Sequence, residues 1–239
     1  MEQTGLSDAD FMRRRDAARA RLDQLTGAKG GDRTNRTDWF KAVYDNAGGD
    51  GAAVPWADLA PKAALTEWLT DNPGGGRTAI DVACGLGDNA EALAAAGYHV
   101  TAFDLSDTAT SWAGRRFPLT SVAYQAADLF DLPEAWLNCF GLVLECYTIQ
   151  ALNGDLRDKA FAAIAAPVAL GGRLVVIARI QPDDTVAGTG SGGPPWPLSQ
   201  SELARFFALG FVAESRYDYA IRKDVRSIPH TRMVFQRPG

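Results

Sequence analysis

Several protein classes need features this chain lacks. No run of about 18 apolar residues occurs anywhere in its 239 residues, so no membrane-spanning helix is expected. There are only three cysteines (Cys84, Cys139, Cys146) and two histidines (His99, His230). Their spacing fits neither a disulfide framework nor a metal site, and reduced thiols in a core are the expectation. Positive charge is scarce as well: 24 Lys and Arg against 29 Asp and Glu leave a net charge of −5, with no electrostatic footprint for nucleic acid. The single basic run, Arg13 to Arg15, is flanked by Asp8, Asp10 and Asp16 and reads as a solvated helix face. The opening residues are charged from Glu2 onward and carry no apolar signal core, which places the chain in the cytoplasm as an expectation. No internal repeat is found. With 46% hydrophobic residues, the length suits one α/β domain with a sizeable core rather than two large domains.

The informative stretch runs from Thr78 to Ala90. Ala79, Ile80, Val82 and Ala83 read as a buried strand, Gly85-Leu-Gly87 as a turn, and a helix follows from about Asp88. Glycine has no Cβ, so such a turn lets backbone N–H groups and the positive end of a helix approach a ligand. A second strand, Tyr98 to Phe103, delivers Asp104 about 20 residues past the first glycine, the distance at which an acid meets a ribose hydroxyl pair. Together these describe a nucleoside-binding crevice. Gly85-x-Gly87-x-x-Ala90 also satisfies the dinucleotide pattern of nicotinamide enzymes. Against that reading, Asp81 sits in the first strand, where a carboxylate is ill-placed beside a pyrophosphate. It suits a ligand with an ammonium group, which S-adenosylmethionine has in addition to its sulfonium.

The motifs Asp81-Val-Ala-Cys-Gly-Leu-Gly87, Asp104-Leu-Ser106 and Ala127-Asp-Leu129 resemble the successive cofactor motifs of class I S-adenosylmethionine-dependent methyltransferases. The resemblance is carried by Arg77 to Ile180, and Phe211 to Arg237 fits the terminal antiparallel hairpin of that fold. Trp39-Phe40 through Val54-Pro55-Trp56 is similar to the thiopurine and tellurite-resistance methyltransferase branch. The fold implied is a single α/β domain over residues 1–239, with a helical N-terminal lid over 1–72 and a Rossmann-like core over 77–239. Its doubly wound seven-stranded sheet would be mostly parallel, with a C-terminal antiparallel strand. The resemblance also implies site roles. Asp81 lies near the methionine ammonium, the backbone around Cys84, Gly85 and Gly87 wraps the methionine and ribose, and Ala83 and Asn89 belong to the same cofactor-binding set. Asp104 accepts both ribose hydroxyls, Leu105 lies against the adenine, and Ser106 belongs to the cofactor-binding set. Asp128 takes the exocyclic amine, and Leu129 offers its N–H. Trp39 and Trp56 are core anchors or stack near the sulfonium. Glu145 holds the cofactor, acts as a base or caps a turn, and Asp104 and Asp128 have the alternative of capping.

Alternation along the rest of the chain gives strands near 78–83, 99–103, 120–125, 141–146, 172–179, 211–219 and 231–236. Helices are expected near 57–69, 87–96, 106–116, 155–167 and 199–208, with another start at Ser7. Residues 27–37 read as a mobile linker, and 39–56 and 181–198 as segments that could close the crevice. Tyr147 and His230 are the catalytic candidates. Tyr147 falls on the same side of an extended chain as Glu145, and His230 opens the last antiparallel strand. His99 begins the second strand, roughly 15 Å from its ligand end, and is structural. The sequence Glu145-Cys-Tyr-Thr148 departs from the Asp-Pro-Pro-Tyr and Asn-Pro-Pro-Tyr signatures of nucleic-acid amino methylation. A thiol with pKa near 8.5 needs little or no base, whereas an alcohol or phenol needs one. The expectation is therefore methyl transfer from S-adenosylmethionine to a small-molecule thiol. An oxygen or nitrogen acceptor on a natural product follows closely. A nicotinamide-dependent oxidoreductase, lacking any Tyr-x-x-x-Lys pair, or a non-catalytic S-adenosylmethionine-binding subunit are the readings from other classes. The chain is expected to be a monomer or homodimer, without a nucleic-acid or membrane partner.

Overall fold

The computed structural model describes residues 9–29, 32–182, 194–223 and 225–239. Helices α1 (Ala9–Leu22), α2 (Arg33–Asn46) and α3 (Ala63–Asp71) precede the sheet. Then follow β1 (Thr78–Val82), α4 (Asp88–Ala95), β2 (His99–Asp104), α5 (Asp107–Arg116), β3 (Ala123–Ala126) and β4 (Phe140–Cys146). The chain finishes with α6 (Gly154–Ala165), β5 (Val168–Arg179), the one-turn helices α7 (Gln200–Leu203) and α8 (Arg205–Ala208), β6 (Val212–Lys223) and β7 (Arg226–Gln236). Among the described residues no helix is long and apolar enough to cross a membrane.

The seven strands form one sheet in the order β3-β2-β1-β4-β5-β7-β6. Every neighbouring pair is parallel except the two involving β7, which runs antiparallel to both β5 and β6. The expected Rossmann-like architecture with its C-terminal antiparallel strand is the one observed. Strand order reverses beside β1, where helix-linked parallel sheets open a crevice at their carboxyl ends.

Alternation along the buried strands divides the core into two layers. Ile80, Val82, Phe103, Val143, Leu174 and Val176 face α6, α7 and α8, packing against Phe161, Ile164 and Phe206. Ala79, Ala102, Leu142, Leu144 and Val175 face α3 and α4, packing against Leu65, Trp68 and Leu93. A third cluster ties the N-terminal helices to the α4–α5 side through Trp39, Val43, Tyr44, Leu86 and Trp112. The segment entering α7 is pinned by Arg157, buried under it. Its guanidinium holds Glu202 at 2.6 and 3.0 Å and the carbonyls of Trp196 and Pro197. Breaking such a buried pair from one side costs about 3–5 kcal/mol.

Some expectations need correction. The linker read over 27–37 is helical from Arg33, because Asp32 caps α2 by accepting from the Asn35 N–H at 2.9 Å. The helix read from Ala57 starts at Ala63, since Pro61 disfavours helical backbone in the residue before it. The helix read over 199–208 is two single turns broken at Ala204. The helix start expected at Ser7 and most of the loop 181–198 lie outside the described residues.

Candidate functional site

A cavity of about 650 Å³ opens above the carboxyl ends of the strands. That lies within the roughly 300–1,000 Å³ of small-molecule sites. Its lining includes Trp39, Trp56, Ala83, Cys84, Gly85, Asn89, Asp104, Leu105, Asp128, Leu129, Tyr147 and His230, so most residues singled out in the sequence meet here. Four of them do not line it: Asp81, Gly87, Ser106 and Glu145 act from behind the wall.

The loop after β1 makes one end. Ala83, Gly85 and Gly87 all have left-handed backbone, with φ of 52°, 55° and 88°. This folds the loop tightly against β2, with the Cys84 N–H on the Phe103 carbonyl and the Gly87 N–H on the Cys84 carbonyl, and starts α4 beside the cavity. At Gly87 the glycine is obligatory: φ is strained for any side chain, and a Cβ would fall on the Tyr124 hydroxyl. That hydroxyl is itself fixed by donating to Glu91 Oε1 at 2.7 Å. A Cβ on Gly85 would stand 3.0 Å from the Tyr44 hydroxyl, which accepts from the Trp56 indole N–H at 2.8 Å. Asn89 turns its Oδ1 to the Lys62 N–H at 2.9 Å, tying α4 to the N-terminal region.

Asp104 ends β2 and is buried. Its Oδ2 accepts from the Gly85 N–H and its Oδ1 from the Ser106 N–H, both at 3.0 Å. Ser106, expected beside the cofactor, instead caps α5 by accepting from the Ala109 N–H. Burial pushes the Asp104 carboxyl up to about 6, while its three backbone N–H partners (Ser106, Gly85 and Leu105) pull the other way. Asp81 shares the α4 face of the sheet, opposite Ala102 and Leu144 in register. Burial, then the charge of Asp104, raises its carboxyl well above the ordinary range. Its Oδ2 has no partner among the described residues. Asp128 accepts from the Phe130 N–H at 2.8 Å in a tight turn at the cavity wall.

Glu145 pairs in register with Val82, so it points to the opposite face of the sheet from Asp81. It is fully buried, and its Oε1 caps the turn after β4 by accepting from Thr148 and Ile149 at 2.7 and 3.0 Å. Burial pushes it up to about 7. Of the three roles open to it, the structure displays the cap. The expected shared side for Glu145 and Tyr147 also fails. Tyr147 takes φ of 67°, which breaks strand alternation and turns its ring to the other layer. Such a backbone in a bulky residue stores about 1–3 kcal/mol of strain.

The far end of the cavity gathers Tyr147, His230, Lys62 and Arg179. His230 stacks on Tyr219 at 5.3 Å and lies 5.8 Å from the Tyr147 ring. Its Nδ1 donates to the Ile228 carbonyl at 2.7 Å, which leaves Nε2 as the acceptor of a neutral ring. Burial lowers its pKa, and the nearby Arg179 and Lys62 add to this. Lys62 Nζ lies 4.6 Å from the Tyr147 ring centre and pairs with Asp58. Burial raises the Tyr147 hydroxyl, so it serves as a donor. Neither cavity thiol is activated: burial pushes Cys84 well up and Cys146 to about 12.

Sequence reasoning passed over Arg179, Lys62, Arg36 and Tyr44. Arg36 is buried over Trp39 and Phe40 and holds the carbonyls of Gly27, Ala28 and Ala151. Trp39 itself donates to the Leu22 carbonyl at 3.3 Å and packs 5.5 Å from Trp56. A charge that ends an apolar strand was the available signal for Arg179, the same one that singled out Asp104.

Fold and site together define a class. Residues 79–172 match the family model for a methyltransferase domain, a domain whose cofactor is S-adenosylmethionine. Comparison with curated proteins gives no match. Among solved structures, the chain is similar to a protein described for the conversion of a disulfide bond into a thioacetal group during echinomycin biosynthesis. The two are 24% identical over 84% of this chain and 93% of that one, with a TM-score of 0.66. It is also similar to Burkholderia thailandensis 1,6-didemethyltoxoflavin-N1-methyltransferase, bound to its substrate and S-adenosylhomocysteine. That match is 17% identical over 85% and 87% of the two chains, TM-score 0.61. TehB from Haemophilus influenzae is 14% identical over 77% and 65%, TM-score 0.59. The residues present fit such a cofactor: Asp104 is a buried acid at the cavity wall, and among the described residues Asp81 Oδ2 is a buried acceptor without a donor.

Proposed function

We propose that the protein methylates the sulfur atom of a small-molecule thiol. The observation that carries this reading is the continuity of one cavity from Asp104 and Asp128 to Tyr147 and His230, room for a nucleoside at one end and a small acceptor at the other. Bound S-adenosylmethionine supplies a methyl group already activated by its sulfonium. In this reading Asp104 accepts the ribose hydroxyls, Asp128 and Leu129 meet the adenine, and Asp81 balances the ammonium from behind the loop. The remaining work is alignment and exclusion of water. Trp39, Trp56 and the helices before residue 72 serve as the lid. Lys62 and Arg179 favour a thiolate over a thiol at the far end, so His230 has only a small proton-transfer role there. The echinomycin relative acts on a sulfur-containing group, in keeping with a soft acceptor.

A second reading is favoured by His230. A neutral imidazole with Nε2 free to accept suits an oxygen or nitrogen acceptor, which needs a base, and the toxoflavin relative is an N-methyltransferase. In both readings the protein is a cytoplasmic monomer or homodimer of the thiopurine-like branch. The test is methyl transfer from deuterated S-adenosylmethionine to matched aryl thiols, phenols and anilines, read by mass spectrometry. Labelled thioether as the dominant product supports the first reading. Labelled ether or amine in its place overturns it in favour of the second.

A further inference from the structure

We propose that the methyl acceptor carries a carboxylate close to the atom that is methylated, and that Arg179 binds it. The inference rests on the methyl-transfer reading above and deepens it. Arg179 is the last residue of β5, half-buried, and lines the cavity. Cross-strand register sets it directly opposite His230, so the two side chains stand about 5 Å apart at their Cβ atoms. Its backbone N–H is taken by Gln150 Oε1 at 2.8 Å. Its guanidinium is another matter: Nε is buried without a partner, and among the described residues no carboxylate lies within ion-pair distance.

Arg15 and Arg36 also leave Nε without a partner among the described residues, but their terminal nitrogens are engaged by the protein. Arg36 holds three carbonyls, and Arg15 holds the Ala57 carbonyl with Asp58 at 3.7 Å. Lys62 is paired with Asp58. The groups that act on Arg179 are the Tyr147 hydroxyl, Arg19 from α1 and Asp58, the last already taken by Lys62. A half-buried guanidinium that makes no side-chain hydrogen bond or ion pair among the described residues is matched to an anion brought by a ligand. One free guanidinium, with the lysine already neutralised, fits a single negative charge better than a phosphate dianion. The cofactor's own carboxylate is the other source of that chemistry. Arg179 lies three strands from Asp104 in the sheet order, roughly 14 Å by strand spacing. It stands beside His230, on the acceptor side.

The experiment titrates protein saturated with S-adenosylhomocysteine against 2-mercaptobenzoate, thiophenol and inorganic phosphate, for wild type, Arg179→Gln and Arg179→Lys. Wild type is expected to bind 2-mercaptobenzoate about 10- to 100-fold more tightly than thiophenol. The preference disappears in Arg179→Gln, survives in part in Arg179→Lys, and S-adenosylhomocysteine affinity is unchanged throughout. The thermal midpoint of Arg179→Gln stays at or above that of wild type, because the guanidinium has no partner to lose among the described residues. Equal binding of the two thiols by wild type overturns the proposal, as does a preference that survives in Arg179→Gln. A tenfold loss of S-adenosylhomocysteine affinity in Arg179→Gln assigns the guanidinium to the cofactor instead, and phosphate binding as tight as 2-mercaptobenzoate replaces the carboxylate by phosphate. Both results overturn the proposal as stated. Turnover with S-adenosylmethionine is read separately: carboxylate selectivity without methyl transfer sinks the methyl-transfer reading and leaves the anion site standing.

Discussion

The two ends of the cavity are built on opposite principles. At the β1–β2 end, all but Asp81 Oδ2 of the polar groups described above are held by the protein itself: Asp104 takes the Gly85 and Ser106 N–H groups, Asn89 takes Lys62, and Tyr124 is locked on Glu91. At the β4–β5–β7 end they are left over among the described residues: Arg179 has no acid, His230 has no partner at Nε2, and Tyr147 sits on strained backbone. A pre-satisfied end suits a ligand that is always the same, because its geometry is fixed before binding. An end with unmatched charge and donors suits a ligand that must bring its own complement. The difference separates a constant cofactor from a variable acceptor.

Mutations at each end sharpen or break that contrast, starting with the largest effect. Gly87→Ala combines a left-handed backbone with a clash on the Tyr124 hydroxyl. It should destabilise the protein by about 2–4 kcal/mol in denaturant unfolding and abolish S-adenosylhomocysteine binding. Adding Tyr124→Phe should restore part of the stability; no recovery would mean that the hydroxyl is not the obstacle.

At the other end, His230→Ala should reduce thiol methylation less than about tenfold but phenol methylation several hundredfold. Equal loss on both would remove the distinction between soft and hard acceptors. In wild type the base form is lost as pH falls through the depressed His230 pKa, below 6.5. Phenol turnover should therefore hold from neutrality down to that point before falling.

Asp104→Ala should weaken S-adenosylhomocysteine by about 2 kcal/mol, roughly 30-fold, through lost charge-assisted bonds. In wild type the same affinity should decline as pH drops through about 6, where the carboxylate takes up its proton. An affinity flat across that range would remove Asp104 from the ribose.

The smallest effect belongs to Glu145→Gln, which keeps an acceptor for Thr148 and Ile149 and should leave turnover within about twofold. Raised folded pKa values mean that Asp104 and Glu145 favour folding most below their ordinary values of 3.8 and 4.5. That contribution is lost as pH rises through about 6 and about 7. Glu145→Gln should shrink this loss between about pH 4.5 and 7 in thermal melts. An unchanged slope would mean that Glu145 titrates as it does in the unfolded chain.

How far the sequence could be read follows the same division. Strand, glycine turn and acid lie within one short stretch, and their chemistry demands particular residue types at particular spacing. The sheet, its antiparallel β7 and the lining of one cavity by Gly85, Asp104 and Asp128 could therefore be anticipated. Asp81 and Glu145 were legible as acids at strand ends, but the face each takes depends on register between β1 and β4, which no local pattern shows. Tyr147 left its expected side because one left-handed residue reverses alternation. Arg179 stayed hidden because its meaning comes from what is missing around it in three dimensions. The N-terminal helix α2 was missed because Gly27 and the polar residues after it mask the cap at Asp32.

The central claim, that the β1–β2 end is a preformed site for S-adenosylmethionine, is tested most directly by isothermal titration. Purified protein would be titrated with S-adenosylhomocysteine and, separately, with NAD and NADP. The account predicts micromolar binding of S-adenosylhomocysteine and no heat from either dinucleotide. Dinucleotide binding with no response to S-adenosylhomocysteine would contradict it.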